Sequence, residues 1–517
     1  MPARKLMLCV IDAMAPAQLE RAVAAGEAPT LAALMQRGLY VPDCVAAFPS
    51  VTPVCAASIV TGVWQDRHQI PGMCWYHRDE QRYVEYGSSF RASQRVGLTR
   101  QLTDTVYNMN GAHLSRSTPT VFEQLDDARA RTAGTTYLMY RGRHLHEPQR
   151  DTALTRIAST VLRHSVMGPK ELFYADIFAS RRTGCRSTLG MPGVRDQHSG
   201  CVGAYLVEHD LCDFLLLSLP DNDWHSHRAG PDGQVRSIAL ADVQLARVMN
   251  AAGGIDEFLA EHAVIVMADH SQAPVSAAIG LAQELTDLGV LAPGSRGNAR
   301  PNGDRRPSRL GGTGARGEPS RIAVCPSQRA AMLYVLEEDE RRPDRMRSEL
   351  VRRALAIDGV ELVMWLVRDI HGAAVEGVIA SPDIGELRFC PGGDTRDLRG
   401  RAWSVEGDLA VLDADIRDAN FDAPNHPDAL DRVWSALTCA TSGDVLLSAA
   451  ARREFADLGG QAHVGGGSHG SLRGEDSLGA LILCGVDVPH QDGPDPRQWA
   501  IRDVASLTLR HFGLEPG

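Results

Sequence analysis

The chain has 517 residues with 53 basic and 64 acidic side chains, a formal net charge of −11. Of the basic residues only Lys5 and Lys170 are lysine and the other 51 are arginine, so a phosphate-binding loop ending in Gly-Lys-Ser/Thr is excluded and a lysine Schiff base nearly so. The acidic balance and a pI near 5.9 argue against a general nucleic-acid binder, and any phosphate chemistry must draw its positive charge from arginine or metal ions.

At about 150 residues per domain the length suggests roughly three domain-sized units, or one large α/β domain with insertions. A 44% hydrophobic and 23% charged composition suffices for a large core. No apolar run reaches the ~18 residues needed to span a bilayer. The N-terminal Leu6–Ile11 run leads into Asp12 rather than a small-residue cleavage site. It therefore reads as a first strand, and a cytoplasmic location is expected. The 11 cysteines are odd in number, irregular in spacing and without a C-x-x-C pair. They are expected to be small buried apolar residues without a metal or redox role.

Short apolar runs at Leu6–Ile11, Thr135–Tyr140, Phe214–Leu219, Ala263–Ala268 and Ala480–Cys484 predict buried parallel strands. Three- and four-residue apolar spacing predicts helices over Thr30–Arg37, Pro53–Val60, Thr120–Ala130, Val235–Ala251 and Val504–Phe512. Alternating strand and helix implies a mainly parallel sheet covered on both faces, with the ligand site beyond the carboxyl ends of its strands. Residues 293–320 are rich in Gly, Pro, Arg and Ser and predict a flexible loop. Beyond it, strands over Arg321–Leu336 and Glu361–Arg368, a helix near Arg342–Ile357 and hairpins over Gly372–Gly407 predict an inserted cap. The expected organisation is a core over 1–292 and 425–517, the loop at 293–320 and a cap at 321–424.

Four predicted strand ends carry ionisable groups. The first run ends in Asp12, and the fourth ends in adjacent Asp269 and His270. A carboxylate at the mouth of a buried strand is costly unless paired or metal-bound. After the third run come Asp221, Asp223, His225 and His227, giving two Asp/His pairs at four-residue spacing. Either pair falls on one face of a helical turn, so spacing does not choose between them. Carboxylate plus imidazole is an ordinary zinc ligand set. His469 stands in Gly-Gly-Gly-Ser-His469-Gly before the last run, with His463 a weaker candidate. Thr52-Pro53 reads as a helix start with threonine at the cap. A hydroxyl there is also well placed to attack phosphorus, because free N–H groups and the helix dipole stabilise anionic oxygens.

In this order the pieces resemble the alkaline phosphatase superfamily, and within it the type I phosphodiesterase/nucleotide pyrophosphatase branch with its phosphonoacetate hydrolase relatives. The matching segments are Val-Ile-Asp12, Phe-Pro-Ser-Val-Thr52 through Ser58-Ile-Val-Thr-Gly62, Asp223-Trp-His-Ser-His227-Arg-Ala-Gly-Pro231, Ala-Asp269-His270 and Ser-His469-Gly-Ser. The resemblance implies a three-layer α/β sandwich with a mainly parallel central sheet and an inserted cap. The group's pattern is an aspartate, a histidine four later and Gly-Pro three after that. Gly230-Pro231 fits this offset from His227, which favours Asp223 and His227 over Asp221 and His225.

By the same resemblance two divalent ions are implied, zinc by donor type with manganese the alternative. Asp223, His227 and His469 would hold one; Asp12, Asp269, His270 and Thr52 the other, with Thr52 the nucleophile that forms a covalent phosphoryl or nucleotidyl intermediate. The implied activity is phosphate-ester hydrolysis on a small phosphorylated substrate, most like a phosphodiesterase, with no nucleic-acid polymer or membrane as partner; homo-oligomerisation is left open. A phosphomonoesterase or C–P hydrolase would use the same residues, and an inactive binding homologue is the remaining rival.

The sequence also departs from the group. An asparagine that contacts a phosphate oxygen usually follows His-Gly-Ile; here the segment is His68-Gln69-Ile-Pro-Gly-Met73, with Met73 in its place. Asn108 or Asn110 is a substitute. Trp224 follows the ligand aspartate and could stack on a substrate ring or simply pack. Arg141 and Arg143, in the turn after a strand, could reach the substrate or form an exposed basic turn.

Overall fold

The computed structural model of the chain describes residues 5–149, 152, 158, 161–294, 320–336, 343–369, 371–488 and 498–515. The stretch at 295–319, where the flexible loop is expected, lies outside the described residues.

One sheet has eight strands in the spatial order Leu39–Val45, Leu478–Cys484, His262–Met267, Lys5–Ile11, Phe214–Leu219, Thr132–Thr135, Glu171–Tyr174, Phe178–Ala179. The five from His262–Met267 to Glu171–Tyr174 run parallel. Alternate residues of Lys5–Ile11 enter two different cores. Met7, Cys9 and Ile11 pack with Leu19, Leu31, Val202, Ile238 and Leu245. Leu6, Leu8 and Val10 pack with Val54, Ile59, Phe122, Val504 and Leu507. Helices therefore cover both faces, which gives the α/β sandwich and explains why these strands read as unbroken apolar runs. Each such fully buried side chain is worth about 1.5–3 kcal/mol.

Two predicted strands differ from expectation. The run at Thr135–Tyr140 forms its strand earlier, over Thr132–Thr135. Thr136 stands at φ 56°, a conformation that costs a β-branched residue free energy and ends the pairing. Leu478–Cys484 is antiparallel to His262–Met267; apolar patterning reports burial, not direction. The edge strand Leu39–Val45 was not predicted. Its exposure is irregular and its pairing slips between Val41 and Cys44, around Pro42 and Asp43.

A second sheet has nine strands. Its main order is Ile322–Ser327, Ala330–Val335, Val445–Ala449, Val360–Arg368, Ala374–Ser381, Gly385–Arg396, Asn420–Asp422, Asp415–Arg417, with Ala402–Gly407 on Gly385–Arg396. It reaches past residue 424, since Val445–Ala449 sits in its middle. Its inner face (Ala323, Met332, Leu362, Met364, Phe389) joins the core that covers the first sheet.

Nine cysteines are free, and all but Cys390 are buried. Cys185 and Cys201 instead form a disulfide that ties the 181–190 segment to the helix Arg195–Glu208, a pairing the irregular spacing did not announce. Among the described residues no helix is long and apolar enough to cross a membrane.

Candidate active site

The parallel strands end on one edge of the first sheet, and the ionisable groups collect there. Asp12 follows Lys5–Ile11 directly, and Asn222 Nδ2 donates to its carbonyl (2.8 Å). Asp269 and His270 follow His262–Met267. Asp269 Oδ1 accepts from Ala13 N at 3.1 Å and His270 N at 3.0 Å, which clamps two strand ends together. Asp221–Ala229 forms the helix that puts Asp223 and His227 on one face, with His227 Nε2 3.3 Å from Asp223 Oδ2.

The helix Thr52–Thr61 begins one residue earlier than the capping pattern implies. Val51 takes the cap position with no side-chain hydrogen bond, and Thr52 is the first helical residue. Its hydroxyl is thereby left free of capping and lies 3.2 Å from His270 Nε2.

Each candidate imidazole is fixed by its other nitrogen. His227 Nδ1 meets Gly467 O at 2.8 Å, His270 Nδ1 meets Ser271 O at 3.0 Å, and His469 Nδ1 meets Ser50 O at 2.7 Å. A carbonyl oxygen only accepts, so Nδ1 carries the proton and Nε2 presents a lone pair. Metal-binding histidines are held this way. The Nε2 atoms face carboxylates: His469 lies 3.5 Å from Asp223, and His270 3.4 Å from Asp269 and 3.7 Å from Asp12. His469 and His270 stack at 3.7 Å.

Among the described residues, two groups have ligand atoms within 4.8 Å of one another: Asp223 with His227 and His469, and Asp12 with Asp223 and His270. Either could hold a divalent cation, and Asp223 belongs to both. Asp12 Oδ1 is buried with no hydrogen-bond partner. Burial, then the nearby carboxylates of Asp269 and Asp223, push the Asp12 carboxyl well above its usual range. Burial opposes ionisation of Asp223, but the imidazoles of His227, His469 and His270 hold it well below that range. Burial and the His270 ring keep His469 well below the ordinary imidazole value. A cation fits this donor set: it would take up the unpartnered oxygen and offset the crowded carboxylates.

The alternative pair is engaged elsewhere. Asp221 accepts from Gly193 N (2.8 Å), Asp196 N (3.0 Å) and Arg195 Nε (3.0 Å). His225 lies edge-on to Trp224. Trp224 itself packs on Gly193 and under the Arg228 guanidinium.

The candidate substrate contacts are similarly committed. Asn110 spends its amide on Leu138 O, Tyr140 N and Arg141 N, and Asn108 donates to Asp104. Arg141 donates to Glu123, Leu114 O, Ser115 O and Thr118 O. Arg143, itself exposed, pairs with Asp127 on the surface and with buried Glu123. Met73 packs on the core, with its N–H on Ser327 Oγ.

Other residues at the site escaped the sequence reading. Gln272 Nε2 donates to Asp223 Oδ1 at 2.5 Å; its place two residues after His270 was a usable signal. Buried Glu454 accepts from His463 Nδ1 at 2.8 Å, and the His463 ring stacks 4.0 Å from His227. His463 thus stands behind a candidate ligand, not in either cluster. Tyr137, just past the strand Thr132–Thr135, is buried with an unpartnered hydroxyl. Burial, then Asp269, pushes that hydroxyl well above the ordinary tyrosine value.

Residues 6–311 match the family model described as type I phosphodiesterase / nucleotide pyrophosphatase. The chain belongs to this family. Its members are metal-dependent phosphoric ester hydrolases. Among solved structures, phosphonoacetate hydrolase from Sinorhizobium meliloti 1021 in complex with phosphonoacetate is similar at TM-score 0.53 and 16% identity, covering 98% of this chain and 94% of that one. Murine ectonucleotide pyrophosphatase / phosphodiesterase 5, an inactive variant in complex with AMP, is similar at TM-score 0.53 and 12% identity, covering 99% and 96%. At these identities the likeness establishes the fold. Among curated protein sequences, none matches the chain.

Proposed function

We propose that this member of the family is a two-metal phosphodiesterase or nucleotide pyrophosphatase-like hydrolase that works through Thr52. The observation that carries the reading is the convergence of Thr52 Oγ1 on His270 Nε2, at 3.2 Å, beside two clusters of carboxylate and imidazole donors. Asp223, His227 and His469 would hold one zinc or manganese ion; Asp12, Asp269, His270 and Thr52 Oγ1 the other. Bound there, the ions would supply Lewis-acid stabilisation of the phosphoryl oxygens and of the entering and leaving groups. Thr52 Oγ1 attacks phosphorus: a Thr52–O–P bond forms as the bond to the ester oxygen breaks, and water later cleaves the Thr52–O–P bond. The free N–H groups of the first helical turn of Thr52–Thr61 would stabilise the same anionic oxygens. Gln272 keeps Asp223 in place.

A C–P hydrolase acting on a small phosphonate is the second reading. It is favoured by Met73 where a phosphate-contacting asparagine is expected, and phosphonoacetate hydrolase shares the fold. A phosphomonoesterase is the third. Turnover of an aryl phosphodiester, an aryl phosphomonoester and phosphonoacetate separates them. Thr52→Ala should lower turnover by ~10³-fold or more while leaving metal content near two ions per chain. Near-normal turnover in that variant removes Thr52 from the mechanism, and well under two ions in an inert wild-type protein defeats the enzyme reading. A cytoplasmic location goes with this proposal; the Cys185–Cys201 disulfide opposes it, and thiol counting on protein from its native compartment decides.

A further inference from the structure

Arg329 lies in the turn between Ile322–Ser327 and Ala330–Val335, on the second sheet and far in sequence from every proposed ligand. Its side chain is wholly buried. A buried guanidinium is expensive unless well paired, so its stabilising value alone is weak grounds for its presence. Its contacts converge on one loop.

The Arg329 N–H donates to the carbonyl of His469 itself, at 2.9 Å. Nη2 donates to Glu475 Oε1 at 2.7 Å, and Nη1 lies 3.3 Å from Asp476 Oδ2. Asp476 passes the constraint on: its carboxylate accepts from Ser471 N (2.9 Å) and Ser471 Oγ (2.6 Å). Its backbone carbonyl accepts from Ser271 N at 3.3 Å, next to His270. Nε and Nη2 also donate to Arg453 O and Ala450 O, which fixes the guanidinium against the second sheet. Between His469 and Ser471 stands Gly470, at φ 117°, where a Cβ would meet Ser327 O at 2.8 Å and Arg329 N at 3.1 Å. On its other side the loop is held by the nucleophile segment, through His469 Nδ1 to Ser50 O and Gly470 N to Ser50 Oγ (3.0 Å).

We propose that Arg329 is a positioning residue of the metal centre: with Asp476 it presses the His469 loop against the Ser50–Thr52 segment and sets where His469 Nε2 points. The second sheet is then part of the machinery that builds the site. This rests on the reading of His469 as a metal ligand.

The test uses full-length protein, stripped with a chelator and titrated with Zn²⁺ against a chromophoric competitor. Arg329→Gln should weaken the His469-dependent site by ~10–100-fold, the usual effect of removing a group that orients a ligand. Arg329→Lys keeps the charge without the planar fork and should fall between. The zinc-induced rise in Tm should shrink in the same order. A merely structural arginine would lower the Tm of the metal-free protein and leave both zinc readouts unchanged; that result overturns the proposal. Should Arg329→Gln not fold, Asp476→Asn and Arg329→Lys are read by the same titration, and unchanged affinity in both also overturns it. His469→Ala is the reference: if it leaves zinc affinity intact, the metal-ligand reading fails, whatever Arg329 does.

Discussion

The two sheets contribute to the site in opposite ways. The mainly parallel sheet delivers Asp12, Asp269 and His270 at the ends of buried strands, and Asp223 and His227 on the helix that follows Phe214–Leu219. The nine-stranded sheet delivers none of the proposed ligands, yet holds the loop that carries His469 through Arg329. Reactive groups profit from strand ends, where the backbone turns and carboxylates stand at the edge of a low-dielectric layer. Their exact aim is set by contacts from outside that layer. On the proposed roles, chemistry and alignment are divided between the sheets.

Five experiments break or sharpen this division. The largest effect is expected for Asp223→Asn, which weakens the carboxylate shared by both clusters: kcat/KM should fall ~10³-fold or more and metal content should drop. Retention of both would move the chemistry off the first sheet. Leu447→Ala, fully buried on the Val445–Ala449 strand, should cost about 2–5 kcal/mol in denaturant unfolding while the folded protein keeps its zinc affinity; a matching loss of affinity would mean that the second sheet acts as a whole and not through Arg329. Gly470→Ala sits where the sheets meet. It should cost about 1–3 kcal/mol from its backbone conformation and weaken zinc binding as well, which isothermal titration would show.

Asp428 tests the second-sheet side by pH. Burial, then the Asp431 carboxylate, raises its carboxyl to about 8, and both oxygens are buried without hydrogen-bond partners. A raised carboxyl favours the folded state at low pH. Its contribution is therefore lost as pH climbs from the ordinary carboxylate value, 3.8, through about 8. Asp428→Asn should flatten the Tm-against-pH curve over that window and leave zinc affinity alone; an unflattened curve would remove Asp428 as the cause. The smallest effect is expected for Arg143→Ala: its exposed pair with Asp127 is worth about 0–1 kcal/mol, buried Glu123 keeps its partner Arg141, and turnover should stay near wild type. A large rise in KM would instead return Arg143 to the substrate site.

What the sequence disclosed follows the same division. Asp12, Asp269 and His270 were legible because an apolar run that stops at an ionisable group is itself a signal. Asp223 and Asp221 were equivalent by spacing. What separates them is that Gly193, Asp196 and Arg195 have already taken Asp221, contacts that spacing does not encode. Val445–Ala449 was not among the predicted strands: an apolar run does not name its neighbours, and its place inside the second sheet emerged only from the pairing. Arg329 and Glu454 were invisible for a related reason. In sequence each is an ordinary charged residue near a turn, and its burial is imposed by segments more than a hundred residues away for Arg329 and by the His463 turn for Glu454.

The His469–Ser50 hydrogen bond joins positions 419 residues apart. At translation rates of ~5–20 residues per second, roughly 20–80 s separate the appearance of the threonine loop from that of its third imidazole. Through that interval the nascent chain carries the proposed nucleophile without the pocket that would arm it. Synthesis itself thus orders the events: the nine-stranded sheet and the five parallel strands precede His469, whereas Leu478–Cys484, the strand that joins Leu39–Val45 to them, follows it, so a ribosome stalled before residue 469 displays a chain with the first sheet's edge unjoined and the centre incomplete.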